Sequence, residues 1–489
     1  MREHRKEIQK HRVAPRYEVL RTPREEFGVL RTVPEKNVCK NGQIIPYPRL
    51  TDDGFYGTMN IITIDYHYKG DTMKKLYGNA IVGQSGGPTA AINATLCGVV
   101  RGVLSQMGEG ACIEKLYGMR NGIEGLMDRR TVCLSDFFDC EEKLKLLEQT
   151  PAAALGSCRK KLPNPDSTDE KDIAFYEKLF AILEEYNIRY FFYIGGNDSM
   201  DTVAKMSRWA EKCGYEMRVM GVPKTIDNDL PTTDHTPGFG SAAKFIATVM
   251  QEIICDCAVY TTKAVTIVEI MGRDAGWLTA SSAIGRVVDG RAPDLVYLPE
   301  RSFDMEQFFA RIEEKFREHP NLVVAVSEGL QFADGRYVGE GQQSGVADAF
   351  GHKYLSGTGK ALEFAIKERF GCKVRSVELN LPQRCAGHLL SRTDIEESVS
   401  IGKKAVEAAI DGVSGEVMIF VRSSTAPYVC EISHEKVTKI ANQTKYVPDE
   451  FINETADNVT DDCCNYLLPL IVGECDVIYN NGLPKHIIL

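Results

Sequence analysis

The sequence contains no long apolar run. Within its 489 residues, no stretch approaches the roughly 18 consecutive apolar residues that a membrane-spanning helix needs. The N-terminus, MREHRKEIQKHR, also lacks the apolar segment of a secretory signal peptide. We therefore predict a protein without a membrane span or an export signal, and we expect a cytoplasmic location.

The sequence also lacks an excess of positive charge. It has 58 lysines and arginines against 68 aspartates and glutamates, which gives a formal net charge of −10. This balance argues against a broad phosphate-neutralising surface, and so against duplex nucleic acid and anionic membranes as partners. Any anionic substrate has to be bound by arginines and lysines gathered at one site.

Cysteines are present, but not in the patterns of a metal site or a disulfide framework. The 15 cysteines are spread through a large chain without an export signal, which favours reduced thiols. The closest pairs, Cys255 with Cys257 and Cys463 with Cys464, lack the CxxC spacing and nearby histidines of a zinc site. We also expect His235 to be a structural or substrate-contacting residue rather than a metal ligand.

Two regions of the chain differ in composition. Residues 1–72 are polar, basic at the start and without a sustained period of 2 or 3.6, which predicts an N-terminal extension. A second interpretation makes Met73 the natural start, because codons for the Lys-Gly-Asp-Thr-Met sequence can contain a bacterial ribosome-binding site. Both interpretations stay open.

Beyond Met73, short apolar strands alternate with amphipathic helices. Strand-like segments such as IRYFFYIGG, AVTIVEIMGR and NLVVAVSEG end in glycine or acidic turns, and helical patterns such as DSMDTVAKMSRWAEKCG lie between them. This alternation predicts βαβ units and a mostly parallel, doubly wound sheet. In such sheets ligands bind at the carboxyl ends of strands, so polar residues there are the candidate site.

The first polar motif is VGQSGGPTAAIN. Gly86 and Gly87 follow a predicted strand, and a helix is predicted to begin near Pro88 or Thr89. Glycines let backbone amides approach an oxyanion, and a helix N-terminus adds partial positive charge, so this loop suits a phosphate. A tight turn that only packs the helix on the strand is the alternative.

The second motif, YIGGNDSMDT, repeats the arrangement after another strand. Gly195 and Gly196 precede Asn197 and Asp198. A carboxylate beside a phosphate loop commonly serves Mg²⁺, which prefers oxygen ligands and shares them with substrate phosphates. Asp198 is the candidate metal ligand, and simple capping of the next helix by Asn197 and Asp198 is the alternative.

The third motif, VPKTIDNDLP, places Lys224, Thr225, Asp227 and Asp229 at a strand end. The two aspartates point the same way if the backbone is extended, and neighbouring carboxylates raise one another's pKa unless a cation intervenes. That arrangement suits a general base beside a metal, and Lys224 can supply charge to a phosphoryl group in transfer. Alone the motif also fits an Asx-rich turn, but three such motifs at successive strand ends favour catalysis.

Together with EIMGRDAG, YLPE, SEG and QRCAGH, these motifs resemble the phosphofructokinase family in order and approximate spacing, over residues 74 to 430. The resemblance implies an α/β phosphotransferase with two Rossmann-like lobes of mostly parallel sheet and an active site in the cleft between them. The implied donor-binding lobe is residues 73–240, completed by about 385–425. The implied fructose 6-phosphate-binding lobe is residues 241–384, completed by about 426–489.

The resemblance also assigns catalytic roles. Asp227 is implied to be the base that accepts the proton of the 1-hydroxyl of fructose 6-phosphate as that oxygen attacks phosphorus. Thr225 lines the same pocket, Asp229 contacts the sugar or supports a metal, and Lys224 and Arg273 complete the catalytic set. Phosphoryl transfer needs little covalent chemistry, so a positioned base, a metal and cationic groups suffice.

Further positions are implied to bind the substrates. The full set is Gly86, Gly87, Thr225, Asp229, Met271, Gly272, Arg273, Glu300, Arg375 and Arg384. Residues 271–273 resemble the sugar-cradling segment, and Glu300 resembles the carboxylate that binds sugar hydroxyls. Arg375 and Arg384 correspond to arginines that bind the 6-phosphate, where bidentate geometry favours arginine. Family members borrow such cations from an adjoining subunit, so Arg375 is a candidate interface residue and a homodimer or homotetramer is expected.

Two positions depart from the ATP-using pattern, which reads GGDGS and PGTIDND. Asp198 stands where ATP users have a glycine that leaves room for the nucleotide α-phosphate, and Lys224 replaces a second glycine with a cation. Both substitutions resemble the pyrophosphate-dependent branch, which implies pyrophosphate as donor and Mg²⁺ held by Asp198. Asn197 stands where many members have an aspartate and is a candidate neutral ligand.

The implied reaction converts fructose 6-phosphate and pyrophosphate to fructose 1,6-bisphosphate and phosphate, reversibly, in glycolysis and gluconeogenesis. Two alternatives stay open: an ATP-dependent 6-phosphofructokinase that accommodates Asp198, and a catalytically silent sugar-phosphate-binding subunit. The silent subunit is disfavoured by an intact set of candidate residues: Asp227, Asp229, Arg273, Glu300 and Arg384.

Overall fold

The computed structural model describes residues 75–340 and 357–489, which belong to one compact unit. The predicted N-terminal extension, residues 1–72, lies outside the described residues. Helices and strands alternate along most of the described chain, as the sequence predicts.

The first sheet has seven strands in the order β11-β10-β5-β4-β1-β2-β3. They are β1 Gly78–Gln84, β2 Ile113–Met119, β3 Thr131–Cys133, β4 Ile188–Gly195, β5 Arg218–Pro223, β10 Glu416–Thr425 and β11 Tyr428–Lys436. Neighbours are parallel except for the β2–β3 and β10–β11 pairs. Strand β4, IRYFFYIG, is apolar almost throughout and buried almost throughout, as expected when helices cover both faces of a parallel sheet.

The second sheet has four strands in the order β7-β8-β6-β9, all parallel. They are β6 Ala264–Ile270, β7 Leu295–Tyr297, β8 Asn321–Ser327 and β9 Lys373–Glu378. A short antiparallel pair, β12 Tyr479–Asn480 and β13 Leu483–Pro484, lies near the end of the chain. Two mostly parallel sheets, each with its own buried apolar cluster, confirm the predicted α/β fold class.

The helices of the described residues connect and cover these sheets. They are α1 Ile92–Leu104, α2 Gly122–Met127, α3 Leu134–Phe137, α4 Glu141–Gln149, α5 Glu170–Glu185, α6 Asn197–Cys213, α7 Phe239–Cys257, α8 Trp277–Ser281, α9 Gly285–Val288, α10 Met305–Glu318, α11 Thr358–Phe370, α12 Pro382–Cys385, α13 Arg392–Ile410 and α14 Asp461–Leu467. Three 3₁₀ turns are Val437–Lys439, Asp449–Phe451 and Leu468–Ile471. In the described ranges, none of the helices has both the length and the apolar character needed to cross a membrane.

The chain returns to the first sheet through α13. Helices α1 and α13 approach closely because glycines face each other: a Cβ on Gly98 would collide with the Val399 carbonyl, and one on Gly402 with the Thr95 carbonyl. Helix α13 then leads into β10 and β11, and both strands pair in the first sheet. The sequence-based boundary near residue 425 falls between these two strands, and the assignment of the lobes to donor and sugar stays a prediction.

The fold brings the three predicted motif loops together. Strands β5, β4 and β1 are adjacent and parallel, so their carboxyl ends lie at one edge of the sheet. Gly195 at the end of β4 pairs with Pro223 of β5, and Ile194 pairs with Gln84 of β1. The loops that follow these strands carry the glycines, the metal candidate Asp198 and the catalytic candidate Asp227.

Candidate active site

The glycine loop after β1 is held by a neighbouring segment of chain. Gly86 has φ +78° and donates its N–H to the Cys158 carbonyl at 3.1 Å, while the Ser157 hydroxyl donates to the Gly86 carbonyl. Helix α1 begins at Ile92, a few residues later than predicted. Ser85, Gly86 and Thr89 bond instead to Cys158 and Ala152 of this other segment. The glycines therefore stay in an open loop that exposes backbone to the cleft.

The loop after β4 packs tightly against its helix. A Cβ on Gly195 would collide with the Ser199 side chain, so only glycine fits at this strand end. Asp198 lies in the first turn of α6 with 31% of its side chain exposed, and its Oδ1 lies 3.6 Å from Lys161 Nζ. The carboxylate is thus partly accessible from the cleft, and the first turn of α6 positions it.

The catalytic turn, residues 224–229, follows β5. The Lys224 side chain is buried and its ammonium donates to the Gly87 carbonyl, which joins this turn to the glycine loop. The Asp227 N–H donates to Thr225 Oγ1 at 3.1 Å. Asn228 adopts φ +53°, a left-handed conformation that asparagine tolerates better than most residues. The turn is therefore folded, and its two aspartates flank a left-handed residue.

The electrostatics of the turn favour an anionic ligand. Burial lowers the pKa of Lys224 to about 7; the Asp227 carboxylate opposes this change, and the charges of Arg159 and Arg384 add to it. Burial also raises the pKa of Asp227, although Lys224 partly offsets the effect. Three cationic side chains therefore converge beside the glycine loop, where a bound polyanion would stabilise all three.

Asp229 has an unusual environment for a carboxylate. Burial and the neighbouring Asp227 charge raise the pKa of Asp229 to about 7. Its Oδ1 is buried and accepts no hydrogen bond from any residue in the described part of the chain. A buried acceptor without a partner is costly to folding, so this atom is a candidate for contact with a ligand.

The sugar-cradling segment, residues 271–273, follows β6 in the second sheet. Gly272 has φ +134°, and a Cβ there would lie 2.6 Å from the Ala275 carbonyl oxygen, so glycine is required. The Met271 N–H donates to Gln383 Oε1 at 3.2 Å. Gln383 precedes Arg384 on α12, so the segment is tied directly to the helix that carries the predicted phosphate arginine.

Only one of the two carboxylate oxygens of Glu300 accepts hydrogen bonds from the described residues. Its Oε1 accepts N–H groups from Gly276 at 2.8 Å and Val447 at 2.9 Å. Its Oε2 is buried and has no hydrogen-bond donor among the described residues. Burial raises the pKa of Glu300, opposed by these backbone hydrogen bonds. One oxygen is therefore fixed by the backbone while the other remains available to a sugar hydroxyl.

The two predicted phosphate arginines lie in different places. A Cβ on Gly87 would lie 3.6 Å from Arg384 Nη1, so this guanidinium faces the glycine loop. Arg375 is exposed on β9 and lines a depression with Tyr260 and Lys373 at the beginnings of strands β6, β8 and β9. That edge is opposite the carboxyl end that carries residues 271–273. The structure brings Arg384 to its own chain's site and does not bring Arg375 there.

Three side chains at this site were not assigned from the sequence. Arg159 and Lys161 approach Gly87 and Asp198, and the only sequence signal was the basic run in GSCRKK. Glu328, in the SEG motif after β8, accepts from the Gly272 N–H at 3.4 Å. Burial and the charge of Asp227 raise the pKa of Glu328 to about 8.

The oxygen ligands at the site suit a magnesium ion shared with substrate. Across residues 75–340 and 357–489, one group of three potential ligands has its atoms close together: His235, Glu397 and Cys430. Both ring nitrogens of that histidine already contact carboxylates, which supports the structural role expected for it. Asp198 belongs to no such preassembled group, but an exposed carboxylate beside a phosphate loop fits Mg²⁺, which keeps waters and takes substrate phosphates as ligands.

Comparisons with known proteins agree with this geometry. The family described as phosphofructokinase matches residues 79–409. The chain belongs to the phosphofructokinase family. This phosphofructokinase is 40% identical over 409 residues to the pyrophosphate–fructose 6-phosphate 1-phosphotransferase of Halomonas elongata, with 83% of this chain and 95% of the relative covered. It is also 40% identical over 413 residues to the Methylococcus capsulatus protein of the same name, with 84% of this chain and 96% of that relative covered.

A solved structure extends the likeness to the whole fold. The pyrophosphate-dependent phosphofructokinase from Marinobacter aquaeolei superposes on this phosphofructokinase with a TM-score of 0.73 at 36% identity, covering 84% of this chain and 95% of the other. The predicted two-lobed phosphofructokinase fold and the predicted family are both confirmed.

Proposed function

We propose that this enzyme transfers a phosphoryl group from pyrophosphate to the 1-hydroxyl of fructose 6-phosphate, giving fructose 1,6-bisphosphate and phosphate. It is a phosphotransferase, and the relatives that match it over most of their length carry the name of this reaction. The transfer is expected to be reversible, since the phosphoanhydride bond of pyrophosphate provides less driving force than ATP.

The observation that carries the choice of donor is that Asp198 and Lys224 follow adjacent strands at the sheet edge that also carries the glycine loop. Gly195 and Pro223 pair across adjacent strands, so the residues that follow them lie side by side. By resemblance to the family, the carboxylate of Asp198 is expected to occupy space that a nucleotide α-phosphate would need, and the buried ammonium of Lys224 donates to the Gly87 carbonyl. A short inorganic anion suits this pocket better than a nucleoside triphosphate does.

The proposed acid–base chemistry uses Asp227. Its pKa is raised by burial, which makes the carboxylate a better proton acceptor than a solvated aspartate. It accepts the proton of the 1-hydroxyl as that oxygen attacks phosphorus, while Lys224 stabilises negative charge on the phosphoryl group. Thr225 accepts the Asp227 N–H and fixes the turn, and Arg273 contributes a further cation near the base.

Mg²⁺ is the proposed metal, with Asp198 as its protein ligand. When bound, the ion neutralises charge on the pyrophosphate oxygens. The mixed arrangement of one exposed carboxylate and several nearby cations leaves most of the coordination to waters and phosphate oxygens. Titration of Mg²⁺ into the apoenzyme with a non-hydrolysable diphosphate, followed by calorimetry, tests this assignment, and Asp198→Asn is expected to weaken binding by about tenfold.

The sugar site is proposed to consist of residues 271–273, Asp229, Glu300, Arg384 and a partner's Arg375, with the two arginines binding the 6-phosphate. Asp229 Oδ1 and Glu300 Oε2 are the two buried acceptors available for sugar hydroxyls. Arg375 is exposed away from its own site, which supports the proposal that it serves the site of a second copy in a homodimer or homotetramer. A cytoplasmic location is proposed as well, because both substrates are intracellular phosphate compounds.

The test is a donor assay. Purified enzyme is given fructose 6-phosphate and Mg²⁺ with pyrophosphate or ATP supplied separately, and fructose 1,6-bisphosphate is measured. The proposal expects rapid formation with pyrophosphate and little with ATP. Rapid formation with ATP alone identifies the enzyme as the ATP-dependent alternative, and no formation with either donor favours the silent subunit.

A further inference from the structure

An irregular segment near the end of the chain contacts three parts of the candidate site. Residues 442–447, NQTKYV, follow the 3₁₀ turn Val437–Lys439 and have no helix or strand of their own. No role was predicted for this segment, because it has no periodic pattern and none of the phosphate or metal motifs. Its hydrogen bonds nevertheless reach the donor side, the catalytic turn and the sugar side of the cleft.

On the donor side, the 442–447 segment is bound by Asn197. The side-chain amide of Asn197 donates from Nδ2 to the Gln443 carbonyl at 2.6 Å, and its Oδ1 accepts the Asn442 N–H. An aspartate in this position accepts but cannot donate, and its charge would repel the Gln443 carbonyl oxygen. The asparagine that replaces the family's aspartate is therefore explained by this contact, and Asn197 is not needed as a metal ligand.

At the catalytic turn, the segment contributes Lys445. The Lys445 N–H donates to the Asp229 carbonyl at 2.8 Å, and its ammonium donates to Asn228 Oδ1 at 3.2 Å. The same ammonium donates to the carbonyls of Thr233 at 3.1 Å and Asp234 at 2.8 Å. All three N–H bonds of the ammonium are thus directed at protein acceptors, so none remains for a phosphate.

On the sugar side, the segment meets α8 and Glu300. Trp277 donates its indole N–H to the Lys445 carbonyl at 3.2 Å, and the Lys445 ammonium lies 5.2 Å from the centre of the Trp277 ring. The Val447 N–H donates at 2.9 Å to Glu300 Oε1, the oxygen opposite the one left for a sugar hydroxyl. One short stretch of backbone therefore connects two substrate sites through the turn between them.

We propose that Lys445 is a positioning residue for phosphoryl transfer, and that the 442–447 segment fixes the catalytic turn relative to the donor loop and the sugar carboxylate. Lys445 acts through Asn228, the left-handed residue next to the base, and through Asp229. This inference rests on the proposed function, because the base it positions is Asp227. Misplacing the base would slow the reaction, because a shift of about 1 Å in a reacting group lowers the rate by on the order of a hundredfold.

The main test is the Lys445→Met variant, which keeps the length of the side chain and removes its charge and hydrogen bonds. We expect kcat to fall at least about tenfold while the KM for pyrophosphate changes by less than about threefold, because no donor contact is lost. Lys439→Met is the matched control, since Lys439 is exposed and its ammonium pairs with Glu435, four residues earlier at the end of β11. That control is expected to match the wild type.

A second measurement does not depend on turnover. Hydrogen–deuterium exchange of a peptide covering residues 225–234 is expected to accelerate at least about tenfold in Lys445→Met and to stay unchanged in Lys439→Met. If the wild type uses neither donor, the proposed function is contradicted, but the exchange measurement can still be made and interpreted. Unchanged exchange in folded Lys445→Met overturns the positioning role whether or not activity is present.

A double-mutant cycle distinguishes one connected segment from two separate contacts. Asn197→Ser removes the donor-side bonds without touching Lys445, and serine is accepted in the first turn of a helix. If the segment acts as a unit, the combined variant loses less kcat than the product of the two single losses; losses that multiply contradict the proposal. Should Lys445→Met not fold, Asn197→Ser alone decides: the proposal expects faster exchange in residues 225–234, and unchanged exchange overturns it.

Discussion

The ion-pair cluster and the catalytic turn contain residues only a few positions apart in this chain, but their charged groups have different partners. In the ion-pair cluster, formed by Asp234, His235, Glu397 and Arg422, each charged group has an opposite charge beside it. His235 Nδ1 lies 2.9 Å from Asp234 Oδ2, its Nε2 lies 2.6 Å from Glu397 Oε2, and Arg422 Nε lies 3.0 Å from Asp234 Oδ2.

In the catalytic turn, by contrast, a buried carboxylate is not compensated in this way. Asp229 Oδ1 is buried without a hydrogen bond from the described residues, and the pKa of Asp229 is raised to about 7 by burial and by Asp227. In the ion-pair cluster burial opposes the charge on His235, but Glu397 and Asp234 outweigh it and raise its pKa to about 9. The comparison separates a cluster whose charges are paired within the protein from a turn with a buried carboxylate oxygen that has no hydrogen-bond donor among the described residues.

The largest expected effect is on the catalytic turn. Asp227→Ser is expected to lower kcat by about a thousandfold, because it removes the proton acceptor, while the KM for fructose 6-phosphate stays within a fewfold of wild type. Steady-state kinetics with pyrophosphate measure both constants. Asp334→Ser, at an exposed loop carboxylate paired with Arg336, is the control. Retention of most of the activity by Asp227→Ser would remove Asp227 from the role of base.

The matching change in the ion-pair cluster is Arg422→Met. Removing one partner of a buried ion pair leaves Asp234 poorly compensated, so a loss of about 3 kcal/mol in the free energy of unfolding is expected. Urea denaturation measures that loss, and turnover of the remaining folded enzyme is expected to stay near wild type. A variant that is fully stable but inactive would reverse the distinction between the two groups.

The cluster also predicts a pH dependence of stability. The pKa of His235 is raised from 6.5 to about 9 on folding, so its contribution is fully present below pH 6.5, declines as the pH rises and is lost above about 9. The free energy of unfolding, measured by urea denaturation across this range, is expected to fall less steeply in His235→Gln than in wild type. Equal slopes in the two proteins contradict a charged His235.

The smallest expected effect is a gain in stability from Asp229→Asn. This change removes a buried charge that lacks a donor, so the free energy of unfolding at neutral pH is expected to rise by about 1 kcal/mol. Activity is expected to fall in the same variant, because the carboxylate is kept for the substrate or its metal. Denaturation and kinetics on one preparation measure both, and a destabilised Asp229→Asn would show that the protein already satisfies this carboxylate.

Much of the fold and part of the site were predictable because local patterns encode them. The apolar strand IRYFFYIGG and the glycines after it predicted β4 and its loop, and parallel strands must bring their carboxyl ends together. Asp198 and Lys224 were found for the same reason, since both directly follow predicted strands. The structure reproduces the features that the sequence encodes locally, which are the hydrophobic period and the turn residues.

Other parts depend on contacts between distant segments. Arg159 reaches the glycine loop from a segment without regular structure, and the beginning of α1 was predicted too early, in a stretch that bonds to Cys158 and Ala152. Lys445 contacts Asn228 across more than 200 positions of sequence, and no periodic pattern marks it. Such residues acquire their roles only when the chain is folded, so local sequence patterns do not reveal them.

The most direct measurement compares the rates with pyrophosphate and with ATP in the wild type and in the Asp198→Gly, Lys224→Gly double variant. The account predicts that the wild type uses pyrophosphate and that the double variant shifts the ratio of kcat/KM values toward ATP by at least about tenfold, since two side chains that narrow the donor pocket are gone. A wild type that prefers ATP, or a double variant with unchanged donor preference, would contradict the account.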